Sequence, residues 1–272
     1  MVKIIKADGT VETFKRENIE NTVLKAGGSK KFAEEISSKV AKKIHKGSTT
    51  KEILKLTLKL LKEKPSVALK YDLKRAIMSL GPQGFTFEEY FSQLLKSYGY
   101  KTKVGIIMRG KATSHEVDVL AKKKKNYMIE CKYHNRLGNH TNSKVAMYTY
   151  ARFLDLRNNP KHKINKGWLV TNTKCTPHAI QYARGVGLKL TGWQHASKGG
   201  KNLQQLIMIQ KAYPITILPS VFGDVKKGFV DAKIVLAKDV LKYNLAELKK
   251  KTGLKEKDLK KVMKECGKVC SG

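Results

Sequence analysis

The sequence predicts an α+β protein with a mixed α/β sheet at its centre, and three observations predict it. Two short alternating runs and then four helical patterns fill about the first 80 residues. A meander of three strands follows, continuing as helix, strand, helix, strand. A lysine-rich helical stretch comes last.

The first piece, 1–82, opens with VKIIK at 2–6 and VETF at 11–14, which alternate like strands and are joined by a turn containing Asp8-Gly9. Helical patterns follow at 17–26, 31–45, 50–63 and 67–80, punctuated by Gly27-Gly28, Gly47-Ser48 and Pro65, with Thr49 or Thr50 able to cap the third. The piece closes at Gly81-Pro82. The middle piece, 83–222, begins with a helix whose apolar positions are Phe87, Phe91, Leu94, Leu95 and Tyr98, stopped by Gly99. Strands are expected at 101–109, 115–122 and 126–132, a helix at 142–157, a buried strand at 167–171, a helix at 177–186 and a strand at 187–192. The tail, 223–272, reads as helices at 237–251 and 255–266 joined at Thr252-Gly253-Leu254.

Length and charge bound the function. At 272 residues the chain has room for two ordinary domains. Its 56 Lys and Arg against 22 Asp and Glu leave a net charge of +34, which attracts polyanions, so nucleic acid is the leading partner. No apolar stretch approaches the roughly 18 residues of a spanning helix, so no membrane role is expected. Cys131, Cys175, Cys266 and Cys270 form no CxxC pair, and a reduced, cytoplasmic location is expected. There is no GxxxxGK[ST] loop, no nucleophile elbow, and no four-ligand zinc set.

One constellation carries chemistry. Asp118 lies in the alternating strand HEVDV, and Glu130 and Lys132 end the next strand, NYMIECK. Being two apart, Glu130 and Lys132 project from one face, and a hairpin can bring Asp118 beside them. Such carboxylates suit a hard divalent ion, Mg²⁺ or Mn²⁺, that polarises a phosphodiester, while the lysine can position or deprotonate the attacking water. Glu-x-Lys recurs at Glu247-Leu248-Lys249, but there it lies in an amphipathic helix without a preceding Asp-bearing hairpin.

This region, about 83–195, resembles the PD-(D/E)xK nuclease superfamily and its restriction-endonuclease-like Mrr branch. The helix FEEYFSQLLKSYGY, from Phe87 to Tyr100, meets that branch's helix pattern at every position. By the resemblance Glu88, Asp118 and Glu130 are metal ligands, and these three with Lys132 are catalytic. The branch's glycine-rich approach to the Asp is replaced by ATSHEVDV, which makes His115 a secondary candidate for facing the metal or a phosphate, with a structurally bonded histidine as the alternative. In TNTKCT, Thr171, Asn172, Thr173 and Lys174 are candidate phosphate contacts, capping of the next helix being the alternative. Tyr148, Tyr182 and Trp193 fit ordinary packing, and Arg152 remains a candidate nucleic-acid contact.

VKIIKADGTVETFKRENIENTVLKA resembles the start of an ATP-cone, the nucleotide-binding regulatory domain of ribonucleotide reductases and their repressors, over about 2–82. Lys6, Asp8-Gly9, Glu12, Asn18 and Ile19 meet the pattern. Ala7 replaces a second basic residue, leaving Lys6 and Lys15 to serve the phosphates. Thr50, Tyr71 and Arg75 complete the adenine and phosphate site by resemblance. A ligand-free hairpin-and-helix module is the alternative.

Together the resemblances imply a Mg²⁺-dependent endodeoxyribonuclease that responds to ATP or dATP. A nucleotide-responsive DNA binder that cuts nothing, and a junction or RNA nuclease of the same fold, are the alternatives. Cutting both strands of a duplex favours a homodimer.

Overall fold

A computed structural model describes residues 2–81 and 86–270. It divides into two compact units: Met1–Ala76 with Ile215–Gly228 and Ala237–Gly272, and Ile77–Pro214 with Phe229–Leu236. The architecture is α+β, with a five-stranded mixed sheet in the second unit and a helical C-terminal part. Pro82, at the expected end of the first piece, and residue 83, at the expected start of the second, lie outside the described residues.

The first unit begins with strands β1 (Lys3–Ile5) and β2 (Val11–Thr13), paired antiparallel. Asp8 makes the turn between them. Its carboxylate accepts from the Thr10 backbone N–H at 3.0 Å and the Thr10 hydroxyl at 2.6 Å, and Gly9 takes φ +82°. Helices α1 (Arg16–Lys25), α2 (Lys30–Ala41) and α3 (Thr50–Leu60) follow. Thr49 rather than Thr50 caps α3, in a reciprocal box with Glu52. The loop before α3 lies along β1, where the Ile5 N–H donates to Ser48 O at 3.0 Å and the Gly47 N–H to Lys3 O at 2.9 Å. Ile4, Ile19, Val23, Phe32, Ile36, Val40, Ile53, Leu61 and Val67 form the core.

Three expected helices end differently; the second, expected over 31–45, stops at Ala41. The third tightens into a 3₁₀ turn at Leu61–Glu63, and the fourth splits at Asp72 into α4 (Pro65–Tyr71) and α5 (Leu73–Met78).

The second unit contains α6 (Phe87–Ser97), β3 (Lys101–Arg109), β4 (Ser114–Lys122), β5 (Asn126–Lys132), β6 (His140–Thr141), α7 (Ser143–Arg157), β7 (Lys166–Thr171), β8 (Lys174–Cys175), α8 (Pro177–Val186), β9 (Lys189–Thr191) and α9 (Leu203–Ile209). The sheet order is β3-β4-β5-β7-β9, antiparallel from β3 to β5 and parallel from β5 to β9, while β6 and β8 pair separately. Alternation along β7 sets the layers. Trp168 meets Phe91 of α6 edge-on, centroids 5.3 Å apart, while Leu169 packs with Ala146 of α7 and with Ala179 and Ala183 of α8. One helix therefore covers one face of β7 and two cover the other.

The tail adds α10 (Gly223–Asp231), α11 (Ala237–Val240), α12 (Leu245–Thr252) and α13 (Glu256–Cys270). The expected helix at 237–251 is two helices, because Asn244 restarts the chain with its own capping box to Glu247. Leu259, Val262, Cys266 and Val269 bury one stripe of α13, which packs against α4 and α11. Of the tail, 223–228 and 237–272 fall in one unit with residues 1–76, and 229–236 in the other. Helices α9 and α10 have no counterpart in the sequence expectation.

Candidate active site of the restriction-endonuclease-like unit

Three carboxylates come near one another where β4 and β5 part. The β4–β5 ladder runs from Lys122↔Asn126 to Val119↔Ile129 and stops there. At the next step the Asp118 carboxylate accepts from the Cys131 N–H at 2.7 Å. On the other side of β4, pairing with β3 passes from Val104↔Val119 to Ile106↔Val117, leaving Gly105 opposite Asp118 outside the ladder. Gly105 has φ +59°, a conformation that costs any residue with a Cβ roughly 1–2 kcal/mol. That irregularity releases Asp118 from regular pairing at the point where its side chain is used.

Glu130 lies on the β5 face that looks toward α7. Arg152 of α7 donates to its Oε2 at 2.7 Å and Tyr148 donates to its Oε1, while Arg152 also donates to Glu116 O at 2.8 Å. The Glu130 side chain is only 8% exposed, so this ion pair is largely desolvated. Glu88 stands in the first turn of α6, held by the Thr86–Glu89 capping box, and Asp118 is close enough to act on its charge. Lys132 is adjacent to Thr171 across β5 and β7. Among the described residues, Lys132 has no hydrogen-bond or ion-pair partner.

The electrostatics of the cluster are those of too many negative charges with too little water. Burial raises all three carboxyl groups above the ordinary range. For Glu88 the charge of Asp118 adds to burial. The Cys131 N–H and then Arg152 oppose burial at Asp118. At Glu130 the Tyr148 hydrogen bond opposes it, Asp118 adds to it, and Arg152 and Lys132 counter it. The Cys131 thiol is driven well up by burial and by the same three carboxylates, so it is no nucleophile.

As a donor set, three carboxylates suit a hard divalent ion. Among the described residues, however, no three His, Cys, Asp or Glu side chains converge closely enough to hold one. Arg152 and Tyr148 engage the Glu130 oxygens instead. The donor chemistry fits a divalent ion, while in this geometry Glu130 is held by Arg152 and Tyr148.

The remaining candidates separate. Thr171, Asn172 and Thr173 are buried and bonded within the fold, so they do not present donors to a phosphate. Thr171 and Thr141 share a hydrogen bond at 2.9 Å, Thr173 lies 3.2 Å from Thr171, and Asn172 pairs with both the N–H and the C=O of His134. Lys174 is exposed, and Thr176 caps α8. Arg152, expected on nucleic acid, has its guanidinium committed to Glu130 and Glu116. His115 faces Asp155 at 2.7 Å, and Asp155 also gathers the N–H groups of Ala112 and Thr113. That is the structurally bonded alternative.

In the first unit, Lys6 pairs with Glu12 at 2.7 Å at the hairpin tip. Thr50 opens α3 beside β1, through the Ile5–Thr49 bridge. Lys15 and Asn18 are exposed at the start of α1. Tyr71 is partly buried against the core, and burial pushes its hydroxyl up to about 12 against a hydrogen bond with Thr57. Arg75 pairs with Asp72 at 3.4 Å.

An uncharacterized protein from Archaeoglobus fulgidus is 40% identical over 179 residues, 65% of this chain and 98% of the relative. The chain belongs to the AF1548-like family. A solved structure titled Crystal Structure of Protein of Unknown Function AF1548 matches with a TM-score of 0.59 at 38% identity, covering 68% of this chain and 97% of that one. Within this AF1548-like chain, residues 2–76 match the ATP cone domain, 81–195 the restriction endonuclease family, and 213–270 the AF1548-like C-terminal family. The resemblances to an ATP-cone and an Mrr-type domain are thereby met, in one fused chain.

Sequence reasoning missed Gly105, the Tyr148 bond to Glu130, and Arg152 as the guanidinium that bridges Glu130. A glycine interrupting TKVGIIM was the available signal for the first. The i, i+4 pair of Tyr148 and Arg152 on the helix after the Glu-x-Lys strand was the signal for the others.

Proposed function

We propose that the chain is a metal-dependent endonuclease that hydrolyses phosphodiester bonds in DNA, and that adenine nucleotide bound by its ATP-cone adjusts the rate. The observation that carries the reading is the cluster of Glu88, Asp118 and Glu130 beside Lys132, in a chain of net charge +34. Carboxylates facing a polyanion repel it unless a cation lies between them. Glu88, Asp118 and Glu130 would hold Mg²⁺ or Mn²⁺, which when bound polarises the scissile phosphate and steadies the leaving oxygen. Lys132, with no competing partner among the described residues, orients the attacking water and offsets charge that builds on the phosphate. The Cys131 N–H fixes Asp118, and α6 delivers Glu88 from a capped first turn. Lys6, Lys15, Glu12, Asn18 and Thr50 would take ATP or dATP at the hairpin and α3 start.

The test is cleavage of supercoiled and linear DNA at physiological salt with Mg²⁺, Mn²⁺ or EDTA, each with and without ATP. Metal-dependent cutting is expected, lowered by about 10²-fold or more in Asp118→Ala and Lys132→Ala while DNA binding persists. Undiminished cutting by the variants removes the site assignment, and equal rates with and without ATP remove the regulation.

The Arg152–Glu130 bridge favours a second reading. A guanidinium already paired with Glu130 is what a nucleotide-responsive DNA binder with no hydrolytic step would keep. Tight DNA binding with no cutting under any metal condition selects it.

A further inference from the structure

The nuclease-like unit has a second polar feature away from the carboxylates: a cleft of about 400 Å³ at the hairpin end of β3, β4 and β5. Its rim carries five lysines, Lys101 and Lys103 of β3, Lys122 of β4, and Lys161 and Lys163 of the loop after α7, and no carboxylate lines it. Its floor is apolar, made by Met108, Leu120 and Ile164. His162 lies in the wall. Its Nε2 is shut off from solvent without a hydrogen-bond partner, the one such buried side-chain N or O among the described residues.

Each feature points to the same ligand chemistry. Five ammonium groups in one rim repel one another, and an anion relieves that repulsion. The apolar floor gains by covering itself with a flat, poorly hydrated group, and small-ligand sites combine such a floor with a few directed polar groups. A buried imidazole nitrogen with no partner is unfavourable, and a ligand atom that reaches it would supply the missing hydrogen bond. A volume of this order suits one base with its sugar and phosphate rather than a lone inorganic ion.

We infer that this cleft binds a nucleotide, its base on Met108, Leu120 and Ile164 and its phosphate among the rim lysines. It is a site separate from both the carboxylate cluster and the ATP-cone hairpin. On β4 the nearest cleft residue, Leu120, is two residues from Asp118 and Lys122 is four, so the cleft runs from about 7 Å to about 13 Å along the strand from the carboxylates. The nucleotide is supplied either free in solution or as one unit of a nucleic-acid strand crossing the same face. The chemistry is shared, and the source is an outcome of the test.

The experiment is hydrogen exchange on the full chain, which reads residues 101–108, 120–126 and 161–165 apart from the ATP-cone. The probes are AMP, adenosine, pyrophosphate, and a short single-stranded oligonucleotide, without divalent metal so that no cleavage is required. Protection of all three segments is expected with AMP or the oligonucleotide, reaching about tenfold slowing at ten times the half-saturating concentration. Adenosine and pyrophosphate are expected to protect far less. AMP protection identifies a free-nucleotide site, and protection by the oligonucleotide alone identifies a strand site.

Lys103→Glu with Lys163→Glu, both exposed and foldable, is expected to abolish the protection and leave Asp118-dependent cleavage of saturating DNA measurable. His162→Ala is expected to weaken it several-fold. Equal protection by pyrophosphate reduces the cleft to an anion site and overturns the inference, as does protection that survives the double charge reversal, or none with any probe. Failure of cleavage alone strikes only the nuclease reading, because no arm of this experiment needs hydrolysis.

Discussion

Glu130 is the residue on which the chemistry of the sheet turns, because its two oxygens are claimed by Arg152 and Tyr148 in a setting where little water reaches them. Removing one partner of a buried pair leaves the other charge uncompensated, a loss of about 3–5 kcal/mol where burial is complete and less here because Arg152 is 23% exposed. Arg152→Met is therefore expected to lower Tm in EDTA. A divalent cation that uses Glu130 replaces the missing positive charge, so Mg²⁺ should raise Tm more in Arg152→Met than in the parent chain. Thermal unfolding of both proteins in Mg²⁺ and in EDTA measures this, and an equal Mg²⁺ shift in the two contradicts a cation at Glu130. The acidic pattern itself was legible in sequence, since Asp118, Glu130 and Lys132 stand at strand spacing. Their counter-ion was not, because Arg152 reaches Glu130 across 22 residues, through the packing of α7 on the sheet.

Elements formed where local signals were strong and diverged where tertiary packing decided. The strands at 101–109 and 126–132 and the helix at 177–186 are bounded as their patterns predict. The helix expected at 67–80 carries a continuous apolar stripe, yet it breaks at Asp72, whose side chain is partly buried beside Arg75. Periodicity cannot see such a break, because Leu69, Leu73, Ala76 and Leu80 keep helical spacing across it. Burial raises the Asp72 carboxyl to about 6, against the opposing charge of Arg75. Its folded value thus lies above its unfolded value near 3.8. Between those two values the folded chain holds a proton that the unfolded chain has lost, so this residue's contribution to stability falls as pH rises through that window. Asp72→Asn removes the penalty. Its Tm is expected to match the parent near pH 4 and to exceed it by about 2 °C or more at pH 7, the exposed Arg75 pair being worth little. A Tm difference that stays flat with pH contradicts the assignment.

At the scale of the whole molecule, the chain passes between its two units at 76/77, 214/215, 228/229 and 236/237, so the ATP-cone match at 2–76 is completed by residues more than a hundred positions later. Charge patterning described the tail as a basic helical pair. What it could not supply is which surface the apolar stripe of α13 covers, and packing on α4 answers that. A consequence follows for nucleotide sensing. Val262 is fully buried on that stripe, and Val262→Asp places an unpaired charge there, at a cost of several kcal/mol. If the tail is part of the nucleotide-binding unit's core, this variant loses ATP binding and hydrogen-exchange protection in residues 2–76, although position 262 carries none of the proposed nucleotide contacts. The five-stranded sheet should keep its protection, and DNA cleavage should persist but no longer change when ATP is added. Calorimetric titration with ATP, exchange mapping and paired cleavage rates measure the three parts. Retained ATP binding together with collapse of the sheet would assign the tail to the nuclease-like unit instead, and would remove the physical basis for a nucleotide signal that depends on both ends of the chain.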